Sequence, residues 1–121
     1  MKVLLVDDDA FLRDMYATKF IECGHIVDSS GDPKEALQKI KDNIYDVVML
    51  DIIMPVLGGL ELLKEINNSD LKGKTKFIIL SNQSDPSDKA EADKLGADGY
   101  IIKAESIPSD VVKKVEQLVG V

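Results

Sequence analysis

The sequence predicts an α/β fold of the (βα)5 type, a doubly wound, five-stranded parallel sheet with helices on both faces. Three observations carry this. Five short apolar runs alternate with five stretches of helical character. Proline or glycine stands where several of those stretches begin or end. The third run, Val47-Val48-Met49-Leu50, is apolar without interruption, as a strand covered on both faces is. Alternation of this kind forces parallel strands joined by right-handed crossovers.

Each element follows in order. Lys2-Val3-Leu4-Leu5-Val6 is a strand cut off by Asp7-Asp8-Asp9. From Phe11 to Cys23, Phe11, Leu12, Met15, Tyr16 and Phe20 recur at helical spacing, and Gly24 closes the helix. His25 to Ser29 is the second strand. Asp32-Pro33-x-Glu35 places an N-cap, a first-turn proline and a capping-box acid in sequence, after which Ala36, Leu37 and Ile40 face inward. The third strand ends at Asp51, and a helix from Gly59 to about Asn67 buries Leu62, Leu63 and Ile66. Phe77-Ile78-Ile79-Leu80 is the fourth strand and ends at Ser81. Asp85-Pro86 starts a helix that Gly96 stops. Tyr100-Ile101-Ile102 is the fifth strand and ends at Lys103. Val111, Val112, Val115, Leu118 and Val119 mark the last helix.

With 121 residues the chain holds one core, so residues 1–121 are expected to form one domain. Hydrophobic residues at 45% and charged residues at 31% suit a globular fold. A net charge of −7 repels phosphate backbones and anionic lipid, which argues against binding nucleic acid or membrane. The lone Cys23 cannot form an internal disulfide, no apolar run could span a bilayer, and Met1 leads directly into a strand, so a cytoplasmic location is expected.

In doubly wound sheets, ligands sit outside the carboxyl ends of the strands. Those ends carry Asp7, Asp8 and Asp9, then Asp51, Ser81 and Lys103. Converging carboxylates repel one another and call for a cation. Oxygen ligands, with no histidine cluster or cysteine pair, point to Mg²⁺ rather than zinc. A hydroxyl and an ammonium opposite would suit the remaining oxygens of a phosphoryl group. Together these parts form a phosphoryl-transfer site with Asp51 as nucleophile. Singly, each has a plainer role: the Asp7–Asp9 run could cap the first helix, Asp51 a turn, Ser81 a loop, and Lys103 could be a solvated lysine. Asp9 is expected to do no more than cap. Four suitable groups at four strand ends outweigh those readings.

Val3-Leu4-Leu5-Val6-Asp7-Asp8-Asp9, Asp46-Val47-Val48-Met49-Leu50-Asp51 with Met54-Pro55 and Gly59, Ile78-Ile79-Leu80-Ser81, and Gly96-Ala97-Asp98-Gly99-Tyr100-Ile101-Ile102-Lys103 together resemble the receiver domain of two-component response regulators, over essentially the whole chain. The resemblance implies a flavodoxin-like strand order 2-1-3-4-5, a chemotaxis-regulator-like signalling switch rather than an enzyme, and Mg²⁺ as cofactor. It implies phosphorylation of Asp51 from a histidine kinase or phosphotransfer protein, and an unidentified downstream protein target. A phosphorylation-dependent dimer is compatible with it. Asp8 would ligate the metal with Asp51 and the backbone carbonyl of Ile53, and Asp7 would hold metal-bound water. Ser81 and Lys103 would bind phosphoryl oxygens. Tyr100 matches the aromatic switch position, and the face formed by the fourth helix, fifth strand and fifth helix would carry the output.

The sequence departs from the family pattern in places. Ala104 follows Lys103 where proline in a cis peptide is usual. A cis bond before alanine costs about 3–4 kcal/mol, against about 0.5–1 before proline, so the bond is trans or its strain is tolerated. Gly58 replaces a frequent aspartate, and Gly58-Gly59 is expected to loosen the start of the third helix. Asn82 is bulkier than usual and is expected to narrow access to Asp51. Apolar Ile53, which with Gln83 flanks the path of an attacking water, is expected to slow hydrolysis of the aspartyl phosphate. A receiver-like interaction module that does not use phosphate is the main alternative. An aspartate-nucleophile hydrolase is less compatible, because Ile53 stands where that chemistry wants an acid. His25, at the start of the second strand, is too far from the carboxyl edge to donate phosphate, and Cys23 fits a small buried group near a helix end. The chain stops after the fifth helix, which suits a stand-alone regulator or a piece of a longer protein.

Overall fold

The structure, a computed structural model, describes residues 1–52, 58–69, 73–81, 86–103 and 107–120. Strand and helix alternate throughout: β1 (Lys2–Val6), α1 (Ala10–Glu22), β2 (Ile26–Ser30), α2 (Pro33–Asp42), β3 (Val47–Asp51), α3 (Gly59–Asn68), β4 (Lys76–Ser81), α4 (Pro86–Lys94), β5 (Gly99–Ile102) and α5 (Pro108–Val119). The five strands form one sheet in the order β2-β1-β3-β4-β5, every pairing parallel.

The continuous apolar runs divide by the strand's period of two into separate cores. Leu4, Val6, Val48, Leu50, Phe77 and Ile79 face the layer of α2 and α3, meeting Ala36, Ile40, Leu62, Leu63 and Ile66. Val3, Leu5, Val47, Met49, Ile78 and Leu80 face α1 and α5, meeting Tyr16, Phe20, Val111, Val112 and Val115. Each such side chain contributes about 1.5–3 kcal/mol by leaving water, and truncating Ile78 or Leu63 to alanine would cost about 2–5 kcal/mol.

Local chemistry sets the helix ends. The Asp9 carboxylate accepts the Leu12 N–H at 3.2 Å and caps α1. Asp32 accepts the Lys34 N–H at 2.9 Å and caps α2, whose first turn holds Pro33. Gly24 (φ 88°) and Gly96 (φ 86°) take the left-handed turns after α1 and α4 that a side chain would strain.

Several expectations need correction. β2 begins at Ile26, one residue later than the apolar pattern suggests. The preceding His25 is turned toward α5, with Nε2 2.8 Å from Glu116 Oε2 and Nδ1 3.1 Å from the Met1 nitrogen. Cys23 is exposed rather than buried, because it is the C-cap of α1 and lies past the helix's inward face. Phe11 is 77% exposed, because five residues before the buried Tyr16 is the far side of a helix with about 3.6 residues per turn, the side of exposed Asp14, Thr18 and Glu22; the inward stripe is Leu12, Tyr16 and Phe20. Gly58-Gly59 is not loose. A Cβ on Gly59 would meet the Asp51 carbonyl oxygen at 2.1 Å, and the Glu61 carboxylate accepts the Gly58 N–H at 2.6 Å. Ile53, Asn82, Gln83, Asp85 and Ala104 lie outside the described residues, and with them the Lys103–Ala104 bond.

Candidate functional site

β1, β3, β4 and β5 run parallel, so their carboxyl ends open on one edge of the sheet. Asp7 follows β1 and is buried. Its N–H donates to the Ser30 carbonyl at 3.1 Å, extending the β1–β2 pairing by one bond. Its side chain is held on both oxygens: Oδ1 accepts the Asp9 N–H at 2.9 Å, and Oδ2 accepts from Lys103 Nζ at 2.7 Å. Asp8 is exposed beside it. Asp51 ends β3, is partly buried, and lies with Oδ2 3.6 Å from Lys103 Nζ. One carboxylate oxygen from each of Asp7, Asp8 and Asp51 falls within 4.8 Å of the others.

Lys103 is buried against these acids, with its side chain 5% exposed. Burial pulls its pKa down, but the Asp7 hydrogen bond and the charges of Asp51, Asp7 and Tyr16 outweigh it, so the net shift is upward and the ammonium stays charged. Tyr16, on the inner face of α1, has its phenol pKa raised by burial; the Lys103 charge opposes this and the Asp7 charge adds to it.

Three carboxylates against one ammonium leave two negative charges in a small space. The donor set is carboxylate oxygen alone, the kind that hard divalent cations such as Mg²⁺ take, with water completing the shell. The separations suit a shared ion.

Ser81 ends β4, one residue beyond Leu80, the strand partner of Asp51, and is buried. Its strand partner is Ile102, while that of Tyr100 is Ile79. Ser81 and Tyr100 therefore share one face of the sheet, where half-buried Tyr100 packs on the core beneath α3 and α4. The structure thus brings Asp7, Asp8, Asp51 and Lys103 together, sets Ser81 at the same edge, and keeps Tyr100 two residues back along β5. Ile53 lies outside the described residues. Sequence reasoning passed over Arg13, whose Nη1 donates to the Asp7 carbonyl at 2.6 Å. The only signal for it was a cation one helical turn into α1, and its direction could not be read from spacing.

The family model described as "Response regulator receiver domain" matches residues 3–116. The two-component response regulator PhoP of Pseudomonas aeruginosa is 36% identical over 104 residues, covering 85% of this chain and 45% of that protein. The chain spans less than half the length of the curated relatives it matches. Among solved structures, the receiver domain of Francisella response regulator 1452 superposes with a TM-score of 0.89 at 36% identity, covering 98% of this chain and 96% of that one. The Thermotoga maritima response regulator TrrA, in complex with Mg(2+)-BeF, gives 0.83 at 32% identity, with 97% of each chain covered.

Proposed function

The chain belongs to the response regulator receiver family, and from that premise we propose that Asp51 is the residue on which it accepts a phosphoryl group. A receiver domain of a two-component response regulator is a phosphorylation-dependent switch, and such domains bind Mg²⁺ at an acidic pocket. The observation that carries the reading is the gathering of Asp7, Asp8 and Asp51 around the buried Lys103.

In the proposed reaction an Asp51 carboxylate oxygen attacks the phosphorus of a phosphohistidine on a histidine kinase or phosphotransfer protein. The new P–O bond forms as the P–N bond breaks, and the departing imidazole nitrogen keeps the electron pair and takes up a proton. Asp8 and Asp51, with the Ile53 carbonyl, would hold Mg²⁺ directly. Asp7, already bonded on both oxygens, is suited to reach it through water. The chemistry Mg²⁺ supplies when bound is neutralisation of phosphoryl charge. Lys103 and Ser81 bind phosphoryl oxygens, and drawing the Ser81 hydroxyl toward the phosphoryl group lets Tyr100, on the same face, move inward.

The chain acts as a switch rather than as an enzyme, in the cytoplasm, with residues 1–121 as one receiver unit. Its output goes to a protein partner through α4, β5 and α5, where Gly99, Tyr100, Lys114, Gln117 and Leu118 line a groove of about 370 Å³. A phosphorylation-dependent dimer would use the same face. The charge of −7 weighs against nucleic acid and membrane as direct partners. Among the described residues, no helix is long and apolar enough to cross a membrane.

The test is incubation with Mg²⁺ and acetyl phosphate, or with beryllofluoride, followed by mass spectrometry or amide-exchange mapping. Wild type should be modified and Asp51→Asn should not. An unmodified wild type would favour an interaction module of the same fold that does not use phosphate.

A further inference from the structure

Arg13 and Gly31 belong to different parts of the chain and meet at the acidic edge. Arg13 leaves the first turn of α1, and its Nη1 donates to the Asp7 carbonyl at 2.6 Å. That carbonyl belongs to the peptide joining Asp7 to Asp8, so the guanidinium fixes the plane from which the exposed Asp8 side chain departs. The other bonds to Asp7 act on its N–H and its carboxylate: Ser30 on the first, Asp9 and Lys103 on the second. Among the described residues, the Asp7–Asp8 peptide plane is thus held on its oxygen by Arg13 alone.

The guanidinium rests in a slot left by a missing side chain. A Cβ on Gly31, which follows β2, would lie 2.6 Å from Arg13 Nη1, 3.4 Å from its Cζ and 3.6 Å from the Asp7 carbonyl oxygen. The loop carrying Gly31 is itself set, because Ser30 Oγ donates to the Asp32 carbonyl at 2.9 Å and accepts the Asp32 N–H at 3.2 Å. Gly31 is outside the left-handed backbone region, so glycine is not required there for conformation. Its lack of a side chain is what the arginine needs.

We infer that Arg13 is a positioning residue for the metal pocket, aiming Asp8 through the Asp7–Asp8 peptide, and that Gly31 provides the space this requires. The inference rests on reading the carboxylate cluster as a Mg²⁺ site. It couples the loop after β2, which contributes no ligand, to cation affinity. Charge alone would act in the opposite direction, since a guanidinium near the pocket repels a divalent cation. The sign of the effect therefore separates positioning from electrostatics.

The experiment measures Mg²⁺ binding by calorimetry on the unphosphorylated chain, with thermal midpoints taken in EDTA. Arg13→Met and Gly31→Ala should each weaken Mg²⁺ by about tenfold, the usual effect of losing a residue that orients a ligand. Gly31→Ala does so while keeping the charge, by pushing the guanidinium aside. The double variant should be no weaker than Arg13→Met alone, because both act through one contact, and the EDTA midpoints should stay near that of wild type. Tighter binding in Arg13→Met would show that its charge dominates and overturn the inference. Unchanged affinity with lowered EDTA midpoints would also overturn it, in favour of a purely structural arginine. An additive double variant would separate Gly31 from Arg13. If wild type itself binds no Mg²⁺, the reading of the cluster fails first, an outcome distinct from variants that match a binding-competent wild type.

Discussion

Lys103 lies closer to Asp7 than to Asp51: its ammonium is 2.7 Å from Asp7 Oδ2 and 3.6 Å from Asp51 Oδ2. In the unmodified domain the lysine therefore serves chiefly to neutralise the acid after β1. A phosphoryl group on Asp51 would have to draw the ammonium away from an established partner, so phosphorylation there would entail an exchange of ion pairs.

Lys103→Met removes the local competitor of a bound cation and should tighten Mg²⁺ binding by about tenfold, since a unit charge a few ångströms away is worth on the order of 1 kcal/mol or more at intermediate dielectric. Metal-free stability should fall by about 3 kcal/mol, as it does when a buried pair loses one member. Calorimetric titration and denaturant unfolding in EDTA measure the two effects. An affinity that does not rise would show that the lysine and the cation do not compete.

Gly59→Ala should destabilise the domain by about 1–3 kcal/mol through overpacking, despite alanine's better helix propensity. The added methyl would meet backbone, the Asp51 carbonyl at 2.1 Å, and backbone cannot swing aside. Because that carbonyl belongs to the proposed acceptor, phosphorylation by acetyl phosphate should slow as well. Urea unfolding and phosphorylation time courses would show this, and a variant as stable as wild type would contradict it.

Tyr45→Phe removes the hydroxyl that donates to Asp28 Oδ2 at 2.8 Å. Burial, then the bond to Asp28 and its charge, raise the Tyr45 pKa. The Asp28 pKa is lowered: burial alone would raise it, but hydrogen bonds from Tyr45, Lys39 and the Ser29 N–H and the Lys39 charge outweigh burial. The phenol's contribution is complete below about pH 10 and lost as pH rises through its folded value; the carboxylate's is present above about pH 4 and lost as pH falls through its folded value. The variant should be less stable by about 1 kcal/mol near neutral pH, and thermal melts should show the gap narrowing as Asp28 protonates. A gap constant into acid would assign the loss to something other than this bond.

Asn67→Ala should loosen α4 while leaving global stability within about 1 kcal/mol. The Asn67 amide donates to the Leu95 carbonyl, tying the end of α3 to the turn after α4. That helix buries only Ala92, so it has few other anchors. Hydrogen exchange should accelerate across residues 90–95 and hardly elsewhere. Uniform acceleration would mean that the bond supports the whole fold.

Much of this was legible in the sequence, because strand ends are easy to find where β-branched runs meet polar residues. Asp7, Asp51, Ser81 and Lys103 follow from that alone, as does the burial of Leu62, Leu63 and Ile66 at helical spacing. What could not be read was direction. Cys23 sits at a helix end where the period no longer fixes a face, whereas the outward placement of Phe11, five residues before the buried Tyr16, does follow from the period once the inward stripe is known. The preference of Lys103 for Asp7, the reach of Arg13 to a carbonyl, and the Tyr45–Asp28 bond depend on side-chain geometry between elements distant in sequence. The tight start of α3 was misjudged because two glycines suggest freedom when nothing shows what their missing side chains would strike.

The pair formed by Asp7 and Lys103 is separated by 96 positions in the chain. During synthesis the acids at 7, 8 and 51 therefore emerge before Lys103, the ammonium that pairs with Asp7. Until β5 docks, the acidic edge lacks its buried ammonium. Any chemistry that needs both the acidic cluster and the ammonium is withheld until the last strand is in place.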